Sequence, residues 1–558
     1  MRKLIPAALV IALVFTAMFM PVTANAEAER PTITYGSKME MNTDKPYFPT
    51  EFVLYFQDLL GANIEFIKYD ADTEKLALAS GDLPDLMMAQ QASTILEGQL
   101  AVAMDPYLEE YGQNILKYEA RNTIIRDLVS GGDGQLYFHT PNTGIEDQTG
   151  GLQTWNGYLV RWDLYKQIGA PAIGSDDEYI EVLKKLVAEK PTTDAGLPVY
   201  GMGLHGSEQW AWNIRAMANQ GYSNTSSWAY AISTVTTEIS SNYLDPASPF
   251  WSNMAFYNKL NREGLLDPDS FTMTSEAVQE KAANNQYVGG YCVWYTDKMY
   301  NTNRLTDPDT LAGIIPVYGE GLSGWYGSNH KVGWGDKLTF ITTAAKDPVL
   351  AVKFINLLDS DELNRAHYSG VEGQTWNYDE SGAPVLTEEV VAVKSAGGDP
   401  WDHLGIGSFS NTIGSSGFGV APDGAFYSLW DNSDLKYAQL SVLQKDYADF
   451  YGVKYPSEVH YKLLQEGKAI NQEKNQTQAV QLGIAQRPDD INRIDARLDE
   501  IVNRSIPGLV NAASDSEFDS AKEKLISDLK GADAEVAWQW WDENWNGVLA
   551  RVNELFGE

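Results

Sequence analysis

Cysteine is almost absent from this sequence, since Cys292 is the one cysteine among 558 residues. One thiol cannot form a disulfide within the chain, so stability has to come from a packed core. Cys292 lies in the stretch GGYCVWY without a neighbouring base, and we expect it to be a small buried apolar side chain. Because no cysteine lies near the end of the predicted signal peptide, we do not expect a lipid anchor on an N-terminal cysteine.

Positive charge is also scarce. The chain has 41 Lys and Arg against 76 Asp and Glu, which gives a formal net charge of −35. Such a surface repels phosphate backbones and anionic lipid headgroups, so neither nucleic acid nor a membrane surface is an expected partner. The six histidines show no metal-ligand spacing such as HExxH, and no G-x-S-x-G elbow or phosphate-binding glycine loop occurs. We therefore expect no metal and no cofactor.

A long apolar run occurs only at the start of the chain. Arg2 and Lys3 precede the apolar run 4–22, and Ala24 and Ala26 fit the small-residue rule for signal peptidase. These features predict a cleaved signal peptide over residues 1–26 and an exported protein, which is extracellular, cell-surface-associated or periplasmic. No later stretch has the roughly 20 apolar residues that a membrane span requires.

Aromatic side chains are abundant, with 16 Trp and 30 Tyr. Such rings stack on the apolar faces of sugars while their N–H or O–H groups bond to hydroxyls, although they also fill protein cores. Four tryptophans, Trp538, Trp540, Trp541 and Trp545, fall on a predicted terminal helix, where i, i+3, i+4 and i+7 spacing makes one apolar face, which indicates core or lobe packing.

The first hundred residues show a βαβαβ pattern. After a short strand, EFVLYFQDLLG (51–61) predicts a helix that Gly61 ends, NIEFIKY predicts a strand, and a second helix ends at Gly81. The buried strand LPDLMMAQ follows and leaves Gln90 and Gln91 at its carboxyl end. This order predicts a parallel sheet, and ligands of open α/β sheets bind beyond the carboxyl ends of the strands.

Further along, PVYGMGLHGSEQW predicts a strand that ends near Glu208, and YVGGYCVWY predicts one that ends near Trp294 and Tyr295. The Gly-rich segment 130–157 is typical of a crossing between two lobes, and beyond about residue 425 the pattern is mostly helical.

Six stretches in order resemble the family 1 extracellular solute-binding proteins of bacterial ABC importers. They are SGDLPDLMMAQ (80–90), LVRWDLYKQIG (159–169), YNKLNREGLLDPDSF (257–271), YVGGYCVWY (287–295), ITTAAKDPVLAVKFINLLDSDEL (341–363) and GVEGQTWNYDESG (370–382). The chain is most similar to the maltose-binding-protein-like members of the large subfamily that includes the alginate-oligosaccharide-binding proteins.

The resemblance implies an α/β, two-lobed periplasmic-binding-protein fold of type II, with an interlobe ligand cleft and a helical C-terminal region. The N-terminal lobe would comprise residues 27–140 and 337–405, and the C-terminal lobe residues 141–336 and 406–558. It also implies a monomer that captures an oligosaccharide and delivers it to an ABC transporter permease, without catalysis.

The resemblance also suggests ligand contacts. A tryptophan that stacks on sugar corresponds to Trp294 or Tyr295, and an acidic residue followed by an aromatic corresponds to HGSEQWAW. A helix start there would separate Trp210 from Trp212, whereas a strand would place them on one face. Aromatic residues on glycine-rich connections favour ligand contact modestly. The candidate ligand-binding residues are Trp294, Tyr295, Trp210, Trp212, Glu208, Gln90, Gln91, Trp155, Trp325 and Trp334.

Two alternatives stay open. A secreted glycoside hydrolase or lyase would need paired carboxylates, and with 76 acidic residues the sequence does not exclude such a pair. Many relatives also carry a calcium loop where this chain reads EKPTTDAGLPVYG (189–201), in which Asp194 is the one carboxylate besides Glu189 at its start. Because calcium takes six to eight oxygen ligands, we do not expect this site to persist.

Overall fold

The computed structural model describes most of the chain after residue 29. The described residues are 30–38, 48–89, 92–141, 157–292, 296–301, 309–319, 321–324, 337–395, 409, 412–414, 419–431, 435, 437–438, 440–472 and 475–557.

The described strands are β1 (Thr32–Ser37), β2 (Asn63–Lys68), β3 (Leu86–Ala89), β4 (Phe138–His139), β5 (Tyr158–Arg161), β6 (Tyr222–Asn224), β7 (Tyr230–Ser233), β8 (Ile239–Ser241), β9 (Gly289–Gly290), β10 (Ile314–Val317), β11 (Ser323–Gly324), β12 (Leu338–Ile341), β13 (Trp376–Tyr378), β14 (Pro384–Leu386) and β15 (Ile470–Asn471).

The described α-helices are α1 (Glu51–Leu60), α2 (Ala71–Ser80), α3 (Ala92–Glu97), α4 (Asp105–Tyr111), α5 (Gln113–Leu116), α6 (Glu119–Val129), α7 (Trp162–Gln167), α8 (Asp176–Glu189), α9 (Gln209–Gln220), α10 (Pro249–Arg262), α11 (Ser275–Ala283), α12 (Pro348–Leu358), α13 (Asp361–Ser369), α14 (Glu388–Ser395), α15 (Val442–Tyr451), α16 (Glu458–Gln465), α17 (Thr477–Gly483), α18 (Asp489–Val510), α19 (Asp515–Lys530) and α20 (Ala534–Phe556).

A five-stranded sheet forms the centre of the first lobe, with strand order β2-β1-β3-β12-β4. β1 is parallel to β2 and β3, whereas β12 is antiparallel to β3 and β4. Helices α1 and α2 connect the parallel strands, and each ends at a glycine in the left-handed conformation, Gly61 with φ 71° and Gly81 with φ 73°. The predicted βαβαβ opening is confirmed, and it places the carboxyl ends of β1, β2 and β3 at one edge.

The second lobe contains a three-stranded antiparallel sheet of order β10-β5-β9. A parallel bridge between Tyr200 and Tyr287 joins a further extended segment to it. Because this segment runs in the same direction as β9, the residues that follow the two segments emerge at the same edge of the sheet.

The strand predicted to run up to Glu208 is shorter than expected. Single bridges at Tyr200 and Met202 are its described pairings, and α9 begins at Gln209 with Glu208 as its N-cap. The ring of Tyr287 occupies the space beside Gly203, so the pattern of small residues reflects close packing rather than a regular strand.

The described residues between 409 and 431 lie against the first lobe. The ring of Phe409 lies 5.7 Å from that of Tyr35, and the Tyr427 hydroxyl donates to Asp361 at 2.5 Å. The predicted boundary at 405/406 would assign these residues to the C-terminal lobe. Their glycine- and serine-rich sequence has no periodicity from which the packing partner could be read. Helix α15 packs against the second lobe, where the Tyr447 hydroxyl donates to the Pro316 carbonyl at 2.6 Å.

The C-terminal helices confirm the predicted helical region. Trp541 and Trp545 of α20 are buried, and the indole N–H of Trp545 donates to the Thr237 carbonyl at 2.7 Å in the second lobe. Near the other end of α20, Arg551 donates to the backbone carbonyl and carboxylate of Asp127 in the first lobe, at 2.7 and 2.8 Å. The helix therefore contacts both lobes.

A buried triad of Arg121, Asp359 and His139 fixes the end of β4. Asp359 accepts from Arg121 at 2.6 and 3.1 Å and bonds to His139 Nε2 at 2.9 Å, while Arg121 also donates to the Thr140 carbonyl at 3.2 Å. Burial raises the pKa of Asp359, but the Arg121 guanidinium and His139 outweigh this effect and hold it at about 2. The triad thus anchors the chain within the predicted crossing, at the end of β4.

His460 of α16 is buried in the second lobe. Its ring lies edge-on to Tyr318 at 5.2 Å, and within the described part of the chain neither ring nitrogen has a hydrogen-bond partner. Burial lowers the pKa of His460 to about 4, so the imidazole is neutral at physiological pH.

No helix among the described residues has the length and apolar character needed to cross a membrane.

Candidate functional site

The candidate site lies at the edge of the second-lobe sheet where β9 and the segment after Tyr200 end. There Trp210 packs on His205 and Tyr291, with ring centroids 4.5 and 6.4 Å away. Tyr291 and His205 share a hydrogen bond between the phenol oxygen and Nδ1. The indole N–H of Trp210 donates to a carboxylate oxygen of Glu208 at 2.8 Å. One carboxylate and three rings therefore meet at the position predicted for ligand contacts.

Burial differs across this cluster. His205 and Tyr291 are buried, Trp210 is half-buried and Glu208 is exposed. Burial lowers the pKa of His205, although Glu208 and Glu276 act in the opposite direction, so the ring is neutral near pH 7. The cluster thus presents an indole and an acceptor carboxylate, which together suit a sugar ring and its hydroxyls.

Gln209, between Glu208 and Trp210 in the sequence, holds the first turn of α9 in place. Its amide N–H donates to Asp499 of α18 at 3.2 Å and to the Tyr243 hydroxyl. Burial raises the pKa of Asp499, although the hydrogen bonds from Gln209 and Tyr243 act in the opposite direction. The position of Glu208 and Trp210 is therefore coupled to the C-terminal helices.

Trp212 does not belong to this cluster. It is 2% exposed, its ring stacks on Phe271 at 5.4 Å, and its N–H donates to the Gly206 carbonyl at 3.0 Å. The helix that starts at Gln209 turns Trp212 away from Trp210 and into the core. The interpretation of Trp212 as a ligand contact is therefore corrected to core packing.

Seven of the predicted contacts lie outside the described residues: Trp294, Tyr295, Gln90, Gln91, Trp155, Trp325 and Trp334. Their neighbours are described. Gly290 ends β9, and Tyr291 and Cys292 follow it as buried residues, which confirms that Cys292 is a buried side chain. Ala89 ends β3 directly before Gln90.

His205 and Tyr291 were missed from the sequence. Both lie in the stretches LHGSEQW and GGYCVWY, a few residues before the predicted strand ends at which ligand contacts are expected. A parallel pairing of the two segments would have placed His205 and Tyr291 side by side, and that pairing has no local sequence signal.

Charged residues near the predicted crossings have structural partners. Arg161 donates to Asp163 at 3.0 and 3.1 Å, and Lys190 forms an ion pair with Asp194 at 2.8 Å. Among the described residues, no group of His, Cys, Asp and Glu has the arrangement of a metal site.

No protein-family model and no curated protein sequence matches the chain. Solved structures match over nearly its whole length. One is an HMO-binding, ABC-transporter-associated solute-binding protein from Bifidobacterium longum infantis, with a TM-score of 0.62, 15% identity and coverage of 93% of this chain and 99% of that one.

Two further structures match comparably. FusA, an ABC-transporter substrate-binding protein of S. pneumoniae, has a TM-score of 0.60 at 13% identity and covers 93% of this chain and 100% of its own. The alginate-binding protein AlgQ2 has a TM-score of 0.55 at 14% identity, with 93% and 98% covered. The predicted fold class is confirmed: the chain has the two-lobed fold of the solute-binding proteins of ABC transporters.

Proposed function

We propose that this chain is an exported solute-binding protein that captures an oligosaccharide between its lobes and delivers it to an ABC transporter permease. The main support is the structural similarity, over 93% of the chain, to the solute-binding protein from Bifidobacterium longum infantis, with a TM-score of 0.62. FusA, which shares the fold, was solved with fructo-nystose bound, and AlgQ2 is an alginate-binding protein. We propose a monomer that binds its ligand without breaking bonds.

The ligand contacts would come from both lobes. In the second lobe Trp210 offers a ring and Glu208 an acceptor, and Trp294 and Tyr295 follow β9 in the sequence. Gln90 and Gln91 follow β3 in the sequence, and Trp155, Trp325 and Trp334 are proposed as further contacts. Closure would bury the sugar, and stacking and hydroxyl bonds would offset the cost of ordering the closed state.

We also propose a revised division of the lobes. Residues 27–140 and 337–431 would form the first lobe, because Phe409 packs on Tyr35 and Tyr427 bonds to Asp361. Residues 141–336 and 432–558 would form most of the second, with the end of α20 reaching back to Asp127.

A glycan panel tests the proposed function. Calorimetric titration of the full chain with plant, algal and bacterial oligosaccharides should reveal micromolar binding, and chromatography should recover the sugar intact. The appearance of new reducing ends would instead support the glycoside hydrolase alternative. Absence of binding to any oligosaccharide would contradict the proposal.

Replacing Trp210 with alanine should weaken oligosaccharide binding by more than about 1 kcal/mol, because the sugar loses an aromatic face. The same loss is expected for Trp294→Ala. The measurement is calorimetric affinity, with a thermal melt that must remain cooperative.

Trp540→Ala is the matched control, since Trp540 is also half-buried in the second lobe but lies on α20 against Trp541. Its affinity should equal that of the unmodified protein. Equal affinities for Trp210→Ala and Trp540→Ala would remove Trp210 from the ligand site.

A further inference from the structure

Gln209 is the first residue of α9 and lies between two proposed ligand contacts, Glu208 and Trp210. Within the described part of the chain Glu208, the N-cap, makes no side-chain bond to the backbone of the first helical turn. A helix start without such a cap leaves backbone N–H groups unpaired and tends to fray. The first turn of α9 therefore needs another anchor if Glu208 and Trp210 are to keep one orientation.

The loop before this turn is anchored separately. The backbone N–H of Gly206 donates to the Ser270 carbonyl at 3.0 Å, and the Ser207 hydroxyl donates to the Met273 carbonyl at 2.9 Å. These bonds end at Ser207, before the two proposed contacts. Among the described residues, the next side chain along the chain that bonds to a different element is that of Gln209.

A triangle of hydrogen bonds holds Gln209. Its side-chain amide donates to the hydroxyl oxygen of Tyr243 and, at 3.2 Å, to a carboxylate oxygen of Asp499. The Tyr243 hydroxyl donates to the same carboxylate oxygen at 3.2 Å. Because Tyr243 follows β8 and Asp499 lies in α18, the first turn of α9 is tied to two separate segments.

Both hydrogen-bond partners are themselves fixed. Tyr243 is 1% exposed, and its ring lies edge-on to that of Phe250 at 5.0 Å. One helical turn before Asp499, the carboxylate of Asp495 accepts from the Tyr230 hydroxyl at 2.8 Å, which ties α18 to β7. Partners that are held in this way limit the movement of the helix start that bonds to them.

Removal of the Gln209 side chain would leave this anchor intact. Without the amide, the Tyr243 hydroxyl still donates to Asp499, so neither partner loses its last hydrogen bond. Gln209 itself is only half-buried. Its replacement should therefore free the first turn of α9 without opening the core.

We propose that Gln209 is a positioning residue of the ligand site: bonded to Tyr243 and Asp499, it holds the two contact residues on either side in their binding orientation. The proposal rests on the proposed function, because it takes Glu208 and Trp210 as sugar contacts. A side chain that is already ordered adds no ordering cost when the sugar binds. Helix α18 thus raises the affinity without contacting the sugar.

Fluorine NMR of the full chain labelled with 5-fluorotryptophan tests the positioning without any sugar. The signal of Trp210 is the one absent from the spectrum of Trp210→Ala. In Gln209→Ala this signal should shift or broaden, because the first turn moves, while the signals of tryptophans outside α9 stay in place. Asp499→Ala should change the Trp210 signal in the same way, whereas Asp499→Asn keeps an acceptor oxygen and should not.

Calorimetric titration with 1-kestose, maltotriose and lacto-N-tetraose measures the consequence for binding. The affinity of the tightest of these probes should fall about fivefold in Gln209→Ala, which is the usual cost of ordering one side chain on binding. Gln220→Ala is the matched control, since Gln220 is an exposed glutamine at the other end of the same helix. Its affinity should equal that of the unmodified protein.

Thermal melts check that each variant is folded, and Asp499→Ala replaces Gln209→Ala if the latter is not. An unchanged Trp210 signal in the folded Gln209→Ala protein overturns the proposal, with or without a sugar. The proposal is also overturned if the signal changes but the affinity does not. Absence of binding of all three probes to the unmodified protein counts against the proposed function instead, and the sugar-free spectra then decide whether Gln209 positions Trp210.

Discussion

Replacing Asp359 with asparagine is expected to lower the free energy of unfolding by about 3–5 kcal/mol, because Arg121 would be left as a buried charge without its counter-ion. Arg121 and Asp359 are both essentially unexposed, and their nitrogen and oxygen lie 2.6 Å apart. The measurement is urea denaturation followed by tryptophan fluorescence at neutral pH.

Asp58→Asn is the matched control. Asp58 also lies 2.6 Å from an arginine, Arg30, but its side chain is 64% exposed. Exposed pairs of this kind contribute about 1 kcal/mol or less, since water solvates both charges and salt screens them. A loss of similar small size in both variants would show that the buried triad does not hold the crossing in place.

The contribution of the Arg121–Asp359 pair to the free energy of unfolding should decrease as the pH falls. Because the pKa of Asp359 is held at about 2 in the folded protein, below its ordinary value, its stabilisation is fully present above the unfolded pKa. It is lost as the pH falls toward 2. The stability difference between the unmodified protein and Asp359→Asn should therefore shrink in that acidic range and stay constant near neutrality.

Replacing His460 with leucine is expected to raise the free energy of unfolding by about 1–3 kcal/mol at neutral pH, because two buried ring nitrogens without partners are removed. Part of this gain is offset by the lost edge contact with Tyr318. Thermal and urea unfolding of the two proteins measure the difference.

Acidification should increase the difference in the free energy of unfolding between His460→Leu and the unmodified protein. The folded pKa of His460 is about 4 against an ordinary value of 6.5, so the unfolded chain binds the proton first as the pH falls. The unmodified protein should lose up to about 3 kcal/mol between pH 6.5 and 4, and the leucine variant should lack this loss. A gap that stays constant from pH 7.5 to 4.5 would contradict the buried, neutral histidine.

The elements that follow local rules were predictable. Gly61 and Gly81 end their helices because a left-handed residue is needed there, and the alternation in β2 identifies a strand. The packing of residues 409–431 was not predictable, because it depends on Phe409 meeting Tyr35, almost 400 residues earlier in the sequence.

The candidate site also combines features set by local sequence with features set by distant contacts. Glu208 and Trp210 lie together because of a helix start that the sequence left open, and the same helix start moves Trp212 into the core. His205 and Tyr291 meet through pairing between two distant segments, and neither segment alone contains that information.

The last helix has a mechanical consequence. α20 is a 23-residue rod held at Trp545 by the second lobe and at Arg551 by the first. An opening of the lobes that moves Asp127 away from Thr237 has to break the Arg551–Asp127 hydrogen bonds or bend the last turns of α20. Because both side chains of that pair are about half exposed, breaking it costs about 1 kcal/mol or less.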